Sequence, residues 1–253
     1  MSPSFAPPHL DLTFMAPLSE ERAARLVRFV ADGRPGTVLD IGCGWAALLL
    51  RVLTAVPEAI GEGVDLDEVA IAHGRELADA AGLTDRVDLR VDDARDLAGG
   101  WDALICIGAS QVWGAPVEDA QPLPYSAALT ALRGLVNRGG RLLYGDGIWS
   151  RPPTPEAVAP LAGRDDEFLS LGEVAALAVE AGFAPIGVHE ASIDEWDVFE
   201  GGYAAAYARW LAAHEPDDPE AAEVRAIAEG QRAAYFGGYR GILGLGYLEL
   251  LAV

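Results

Sequence analysis

The sequence contains no lysine: all 18 of its basic residues are arginine. Schiff-base chemistry and the lysine of a phosphate-binding P-loop are therefore excluded. Acidic residues number 39, for a net charge of −21, and so acidic a surface has no clustered cations with which to hold a polyanion. Nucleic acid is accordingly not an expected partner. The acidity reads as a solubility device, with a dock for cationic partners as the alternative.

Cysteine is nearly absent as well. Cys43 and Cys106 stand far apart, each beside an apolar run, and neither belongs to a C-x-x-C pair. Two reduced, buried thiols are expected, with no disulfide and no metal. Nor does the chain contain a run of about 18 apolar residues, the length a membrane-spanning helix needs. The opening MSPSFAPPHLDL lacks the basic start and apolar stretch of a secretory signal. The expectation is a soluble, cytoplasmic protein without a membrane partner. Oligomeric state leaves no mark on the sequence.

What is present is a regular alternation of strand and helix signals, which implies an α/β fold with a parallel sheet covered by helices on both faces. Ser19 precedes a helix with Glu20 and Glu21 in its first turn. Strands are expected at TVLDI, GEGVDL, RVDLRV, ALICIG, RLLYGD and APIGVHEA, and a last one in GILGLGYLELLAV. All but the third are largely apolar, as a sheet buried on both sides demands. Helices fall between them, and two capping boxes, Ser170 with Glu173 and Ser192 with Glu195, start the later ones. The chain shows no repeat and no interdomain linker, so a single domain spanning 1–253 is expected.

The chemistry concentrates after the first strand. In VLDIGCGWAA the segment GCGWAA fits G-x-G-x-x-A, and Asp65 follows about 20 residues later, so the pattern nominally matches a dinucleotide fingerprint. Two further acids favour a different adenosine ligand: Asp40, two residues before Gly42, and Asp93 after the third strand. S-adenosylmethionine carries a sulfonium and an ammonium, which favour carboxylates. Gly42 and Gly44 let backbone approach it closely. Asp40 can organise the turn and the ammonium end, Asp65 can accept from both ribose hydroxyls, and Asp93 from the adenine amino group, unless Asp92 takes that role. Asp40 and Asp65 as strand-end caps, and Asp93 as a solvated turn residue, are the structural alternatives.

With these residues in view, the chain resembles the class I S-adenosylmethionine-dependent methyltransferases, through VLDIGCG, GVDLD, DDARDL and LVNRGGRLLYGD, from about Thr37 onward. It is similar, more narrowly, to bacterial small-molecule methyltransferases of unassigned substrate that share a PLS segment and an EWDVFE segment. The departure is Ala46, where many members carry a third glycine. The resemblance implies a Rossmann-like seven-stranded sheet whose last strand inserts antiparallel beside the sixth, with a helical insertion between those two. It implies an N-terminal segment and helix over 1–36, a cofactor-binding core over 37–147, and a substrate-side half over 148–253 with a helical cap at about 192–240. The cofactor set it implies is Asp40, Gly42, Cys43, Gly44, Asp65, Leu66, Asp93, Ala94 and Ile107.

The implied reaction is methyl transfer to a small apolar or aromatic acceptor. Expected acceptor walls are Phe14, Trp113, Trp149, Trp196 and Tyr203. Trp196, Phe199, Tyr203, Tyr207 and Trp210 recur at three- and four-residue steps, a stripe that either packs a helix onto the core or lines the acceptor pocket. Methyl transfer needs positioning rather than an obligatory side chain. If a base is required, Gln111 is a candidate positioner, and Asp146 and Glu195 are candidate acceptors, Glu195 in competition with its capping box. Rival functions are a nicotinamide-dependent oxidoreductase and a protein that binds S-adenosylmethionine without transferring methyl.

Overall fold

The computed structural model describes residues 12–114 and 122–253. Residues 1–11, with His9, lie outside the described part of the N-terminal segment. The elements are helices α1 (Glu20–Ala31), α2 (Ala47–Ala55), α3 (Glu68–Ala80), α4 (Tyr125–Leu135), α5 (Pro155–Val158), α6 (Leu171–Glu180), α7 (Ile193–Ala213) and α8 (Ala221–Ala234). The strands are β1 (Thr37–Ile41), β2 (Ile60–Asp65), β3 (Val87–Val91), β4 (Trp101–Ile107), β5 (Val136–Trp149), β6 (Phe183–Glu190) and β7 (Leu243–Ala252). Their order in the sheet is β3-β2-β1-β4-β5-β7-β6. β1, β2, β3, β4 and β5 pair in parallel, while β7 pairs antiparallel with β6. This is the expected Rossmann-like arrangement.

The chain divides into two compact units. One comprises Ser19–Ile148, Glu167–Glu190 and Leu245–Val253 and holds the sheet; the other comprises residues 12–18, Trp149–Asp166 and Ala191–Gly244 and is largely helical. In the first, Leu39, Ile41, Leu104, Leu142 and Tyr144 of adjacent strands bury against Leu129 and Leu132 of α4 and Val174 and Ala178 of α6. α2 and α3 pack against β1, β2 and β3, and α1 against α2. The helix starts follow their caps: the Ser19 hydroxyl accepts from Arg22 N–H, and both capping boxes form.

Three features differ from the sequence expectation. β5 begins five residues early, at Val136, because a bulge lets Trp101 pair with Val136 before the regular register resumes at Ala103 with Arg141. β6 is an edge strand with alternating exposure, and Ile186 and Val188 face solvent at 59% and 40%, so it is not covered on both sides. The one-turn helix α5, capped by Thr154, had no periodic signal to announce it. No helix among the described residues is long and apolar enough to cross a membrane.

Glycine sets the spacing where β5 meets β7. A Cβ on Gly145 would fall 2.8 Å from the Gly246 carbonyl oxygen and 3.2 Å from the Tyr247 ring. Backbone cannot yield as a flexible side chain does, so Gly145→Ala should destabilise by about 1–3 kcal/mol. A thermal melt of the variant checks this, and an unchanged midpoint would mean that the two strands part freely.

Candidate active site

Three residues of the turn between β1 and α2 are held by β2. The N–H groups of Gly42 and Cys43 both donate to the Val64 carbonyl at the end of β2, at 2.9 and 3.1 Å. Gly44 N–H donates to Asp65 Oδ2 at 2.8 Å, and Asp67 N–H donates to Asp65 Oδ1 at 2.9 Å. Asp65 therefore ties the turn after β1 to the turn after β2. Gly42, Gly44 and Ala46 all have left-handed backbone, with φ of 64°, 53° and 58°. At Gly42 a side chain is excluded by space as well, since a Cβ there would meet Ala109 Cβ at 2.5 Å.

Asp40 lies beside this turn, 4% exposed, within the sheet. Burial first, and the nearby Asp65 carboxylate second, push its carboxyl well above the usual range. No cation among the described residues offsets it. Burial and the same two carboxylates raise the Cys43 thiol. Cys43 and Cys106 are both free thiols; Cys106 is buried, whereas Cys43, expected to be buried, is only partly so. Leu66, next to Asp65, is an apolar side chain 72% exposed. Beyond β3, Asp93 caps a 3-10 turn that includes the buried Ala94 and binds the Arg95 guanidinium at 3.0 and 2.5 Å; that pairing holds its carboxyl at about 2. Ile107 ends β4.

A family described as a methyltransferase domain matches residues 38–139, from β1 into β5. The uncharacterised protein YjhP of Escherichia coli (strain K12) is 29% identical over 242 residues, which cover 93% of this chain and 92% of that protein. An S-adenosylmethionine-dependent methyltransferase from Thiobacillus denitrificans, solved with S-adenosyl-L-homocysteine, matches with a TM-score of 0.82 at 28% identity, over 97% of this chain and 96% of that one. A second, from Geobacter sulfurreducens with the same ligand, matches with a TM-score of 0.82 at 26% identity, over 98% and 99%. The chain is an S-adenosylmethionine-dependent methyltransferase with the class I fold. S-adenosylmethionine is its cofactor.

In this methyltransferase the candidate catalytic carboxylates are already engaged. Asp146, 6% exposed in β5, accepts from the N–H groups of Ser110 at 3.0 Å and Gly147 at 2.8 Å. Burial raises its carboxyl, and those hydrogen bonds oppose the rise. Ser110 Oγ lies 2.5 Å from Tyr144 Oη, and Tyr125 Oη donates to the Gly147 carbonyl at 2.5 Å. This buried polar network joins the ends of β4 and β5, and sequence reasoning missed all of it but Asp146. Gln111, exposed, donates from Nε2 to the Gly108 carbonyl at 3.1 Å. Glu195 accepts from Ser192 N–H at 2.7 Å in its capping box.

The aromatic candidates fall in different settings. Trp113 packs against the main core. Phe14 is buried, and Trp149 is buried with its Nε1 donating to the Asp165 carbonyl at 2.8 Å. Along α7 the stripe splits: Tyr207 and Trp210 are buried against Ala221 and Val224 of α8, while Trp196 meets Phe199 edge-on at 6.1 Å and Phe199 meets Tyr203 at 5.4 Å. Trp196 Nε1 is buried without a hydrogen-bond partner among the described residues.

Two outcomes follow from the turn. Left-handed backbone costs a Cβ-bearing residue about 1–2 kcal/mol, and glycine's extra freedom in the unfolded chain returns about 0.4–1 of that. Ala46→Gly should therefore melt at or above the parent temperature and Ala46→Val well below it; the reverse order would contradict the left-handed assignment. Asp40 has a raised folded pKa, so its contribution to stability is complete below the unfolded value of about 3.9 and is lost as pH rises through the folded value. The melting temperature of Asp40→Asn, relative to the parent, should rise with pH across that window. A difference independent of pH would remove Asp40 from the account.

Proposed function

We propose that this methyltransferase moves a methyl group from S-adenosylmethionine to a small, apolar or aromatic acceptor, as one domain with a substrate-side helical cap. The observation that carries the reading is a buried carboxylate with no cation beside it among the described residues, Asp40, next to a turn of left-handed residues sewn to β2 by Asp65. Such a site favours a ligand that brings positive charge. A dinucleotide instead brings a pyrophosphate, which Asp40 and Asp65 would repel, and this disfavours the nicotinamide reading.

When bound, the cofactor supplies an electrophilic methyl group on a sulfonium. Asp40 would balance its cationic end, and the backbone of Gly42, Cys43 and Gly44 would lie against it. Each Asp65 oxygen accepts one backbone N–H, and a carboxylate has about four acceptor sites, so two remain for the ribose hydroxyls. The exposed Leu66, with Ala94 and Ile107, would give the adenine an apolar bed. Asp93 would share its carboxylate between Arg95 and the adenine amino group; an exposed ion pair of that kind is weak enough to share.

For catalysis, Asp146 acts as a positioning residue: it holds Ser110 and so fixes where Gln111 begins. Glu195 fixes the start of α7. Acceptor choice falls to the aromatic side chains Phe14, Trp113, Trp149, Trp196 and Tyr203.

Asp65→Asn keeps one acceptor oxygen but turns an NH₂ toward either Gly44 N–H or Asp67 N–H. Calorimetry should find S-adenosylhomocysteine binding weakened by about tenfold or more, as expected for loss of charge-assisted hydrogen bonds. Unchanged affinity would sink the ribose assignment. Isotope-labelled S-adenosylmethionine offered with small aromatic acceptors should yield labelled small molecules, and label found only on protein or nucleic acid would refute the acceptor class.

A further inference from the structure

α7 and α8 form a hairpin whose closed end is sealed by Tyr207, Trp210, Ala221 and Val224. Farther along, the two helices and the π-helical turn Tyr235–Tyr239 flank a partly open cavity of about 450 Å³, within the range of small-molecule sites. The space arises from composition. α7 presents Gly201, Ala204 and Ala208 to it, and a Cβ built on Gly201 meets nothing within 4 Å. Small residues here hold volume open rather than bring the helices together. Leu211, Ala228 and the largely exposed Phe236 complete the apolar wall.

The polar end of the cavity is unbalanced. Asp197 is neutralised, since Arg240 donates to both of its oxygens at 2.8 Å and Tyr235 Oη donates at 2.7 Å. Among the described residues Glu200 has only neutral donors: Tyr239 Oη at 2.8 Å and Gln231 Nε2 at 3.1 Å. Arg232, which also lines the cavity, is 67% exposed and lies 3.9 Å from Glu229. Glu200 also fixes the Gln231 amide, because a carboxylate must be met by the NH₂ group. Gln231 Oε1 is thereby turned into the protein, buried and without a donor among the described residues. Glu200, with no cation among the described residues, is the carboxylate of the cavity wall.

We propose that this cavity binds a small amphiphile with a protonated amine at one end, the amine donating to the Glu200 carboxylate and its apolar body lying against Ala204, Ala208, Leu211 and Phe236. The site lies wholly within the helical unit and does not depend on the methyl-transfer reading.

The test is calorimetry on the intact protein saturated with S-adenosylhomocysteine, using three ligands that share one apolar body: tryptamine, tryptophol and indole-3-propionate. Tryptamine should bind about tenfold or more tighter than tryptophol, and indole-3-propionate weakest of the three. Glu200→Gln should bring tryptamine and tryptophol to within about threefold of each other. Ala208→Trp, which fills the cavity without breaking a hydrogen bond, should abolish tryptamine binding while leaving the melting temperature near the parent value. Absence of tryptamine binding, equal affinity for all three ligands, or tryptamine binding that survives Ala208→Trp would overturn the proposal.

Discussion

One carboxylate holds the cofactor end of the sheet in shape. Asp65 receives the Gly44 N–H on one oxygen and the Asp67 N–H on the other, so the turns after β1 and β2 are fixed to each other through a single side chain. The left-handed residues at 42, 44 and 46 expose backbone that this fixation orients. The cost is electrostatic, because Asp65 raises the energy of the ionised Asp40 buried beside it. Active sites commonly store such a conflict, and a cationic ligand relieves it. The same arrangement also keeps the Cys43 thiol in its protonated, unreactive form.

Much of this was legible in the sequence, for reasons that can be named. Apolar runs ending in acids and glycines mark the ends of β1 and β2, so Asp40, Gly42, Gly44 and Asp65 announce themselves by spacing. Ser170 and Ser192, each three residues before a glutamate, mark helix starts. Unread features depend on strands that are distant in sequence. The Ser110–Tyr144–Asp146 network exists because β4 and β5 are neighbours, which no local pattern encodes. Asn137-Arg138-Gly139-Gly140 looks like a turn, and only the bulge against β4 makes it part of β5. For Asp65 the sequence offered a ligand group or a strand-end cap, whereas its particular bonds to Gly44 and Asp67 need the folded turn.

The helical unit shows the limits of periodicity. A stripe of five aromatic residues at helical spacing carries no sign of where it divides, yet α8 buries Tyr207 and Trp210, Tyr203 packs both on that cluster and on Phe199, and Trp196 meets Phe199 and Tyr239. Glycine and alanine on α7 could equally have meant close helix contact. What distinguishes a cavity from a contact is the partner surface, and here α8 does not fill the space. The polar groups that give the cavity its character, Glu200, Gln231 and Tyr239, come from both helices and the turn beyond, and only the hairpin assembles them.

The position of β7 imposes an order on assembly. It lies between β5 and β6, so β6 joins the sheet only through a strand that the ribosome makes later, after all of α7 and α8. Until then β5 has an open edge, and β6, with Ile186 and Val188, has nothing to pair with. The nascent chain must carry two unpaired edges through the synthesis of the whole helical hairpin. That interval is when this protein is most exposed to mispairing and to chaperone capture.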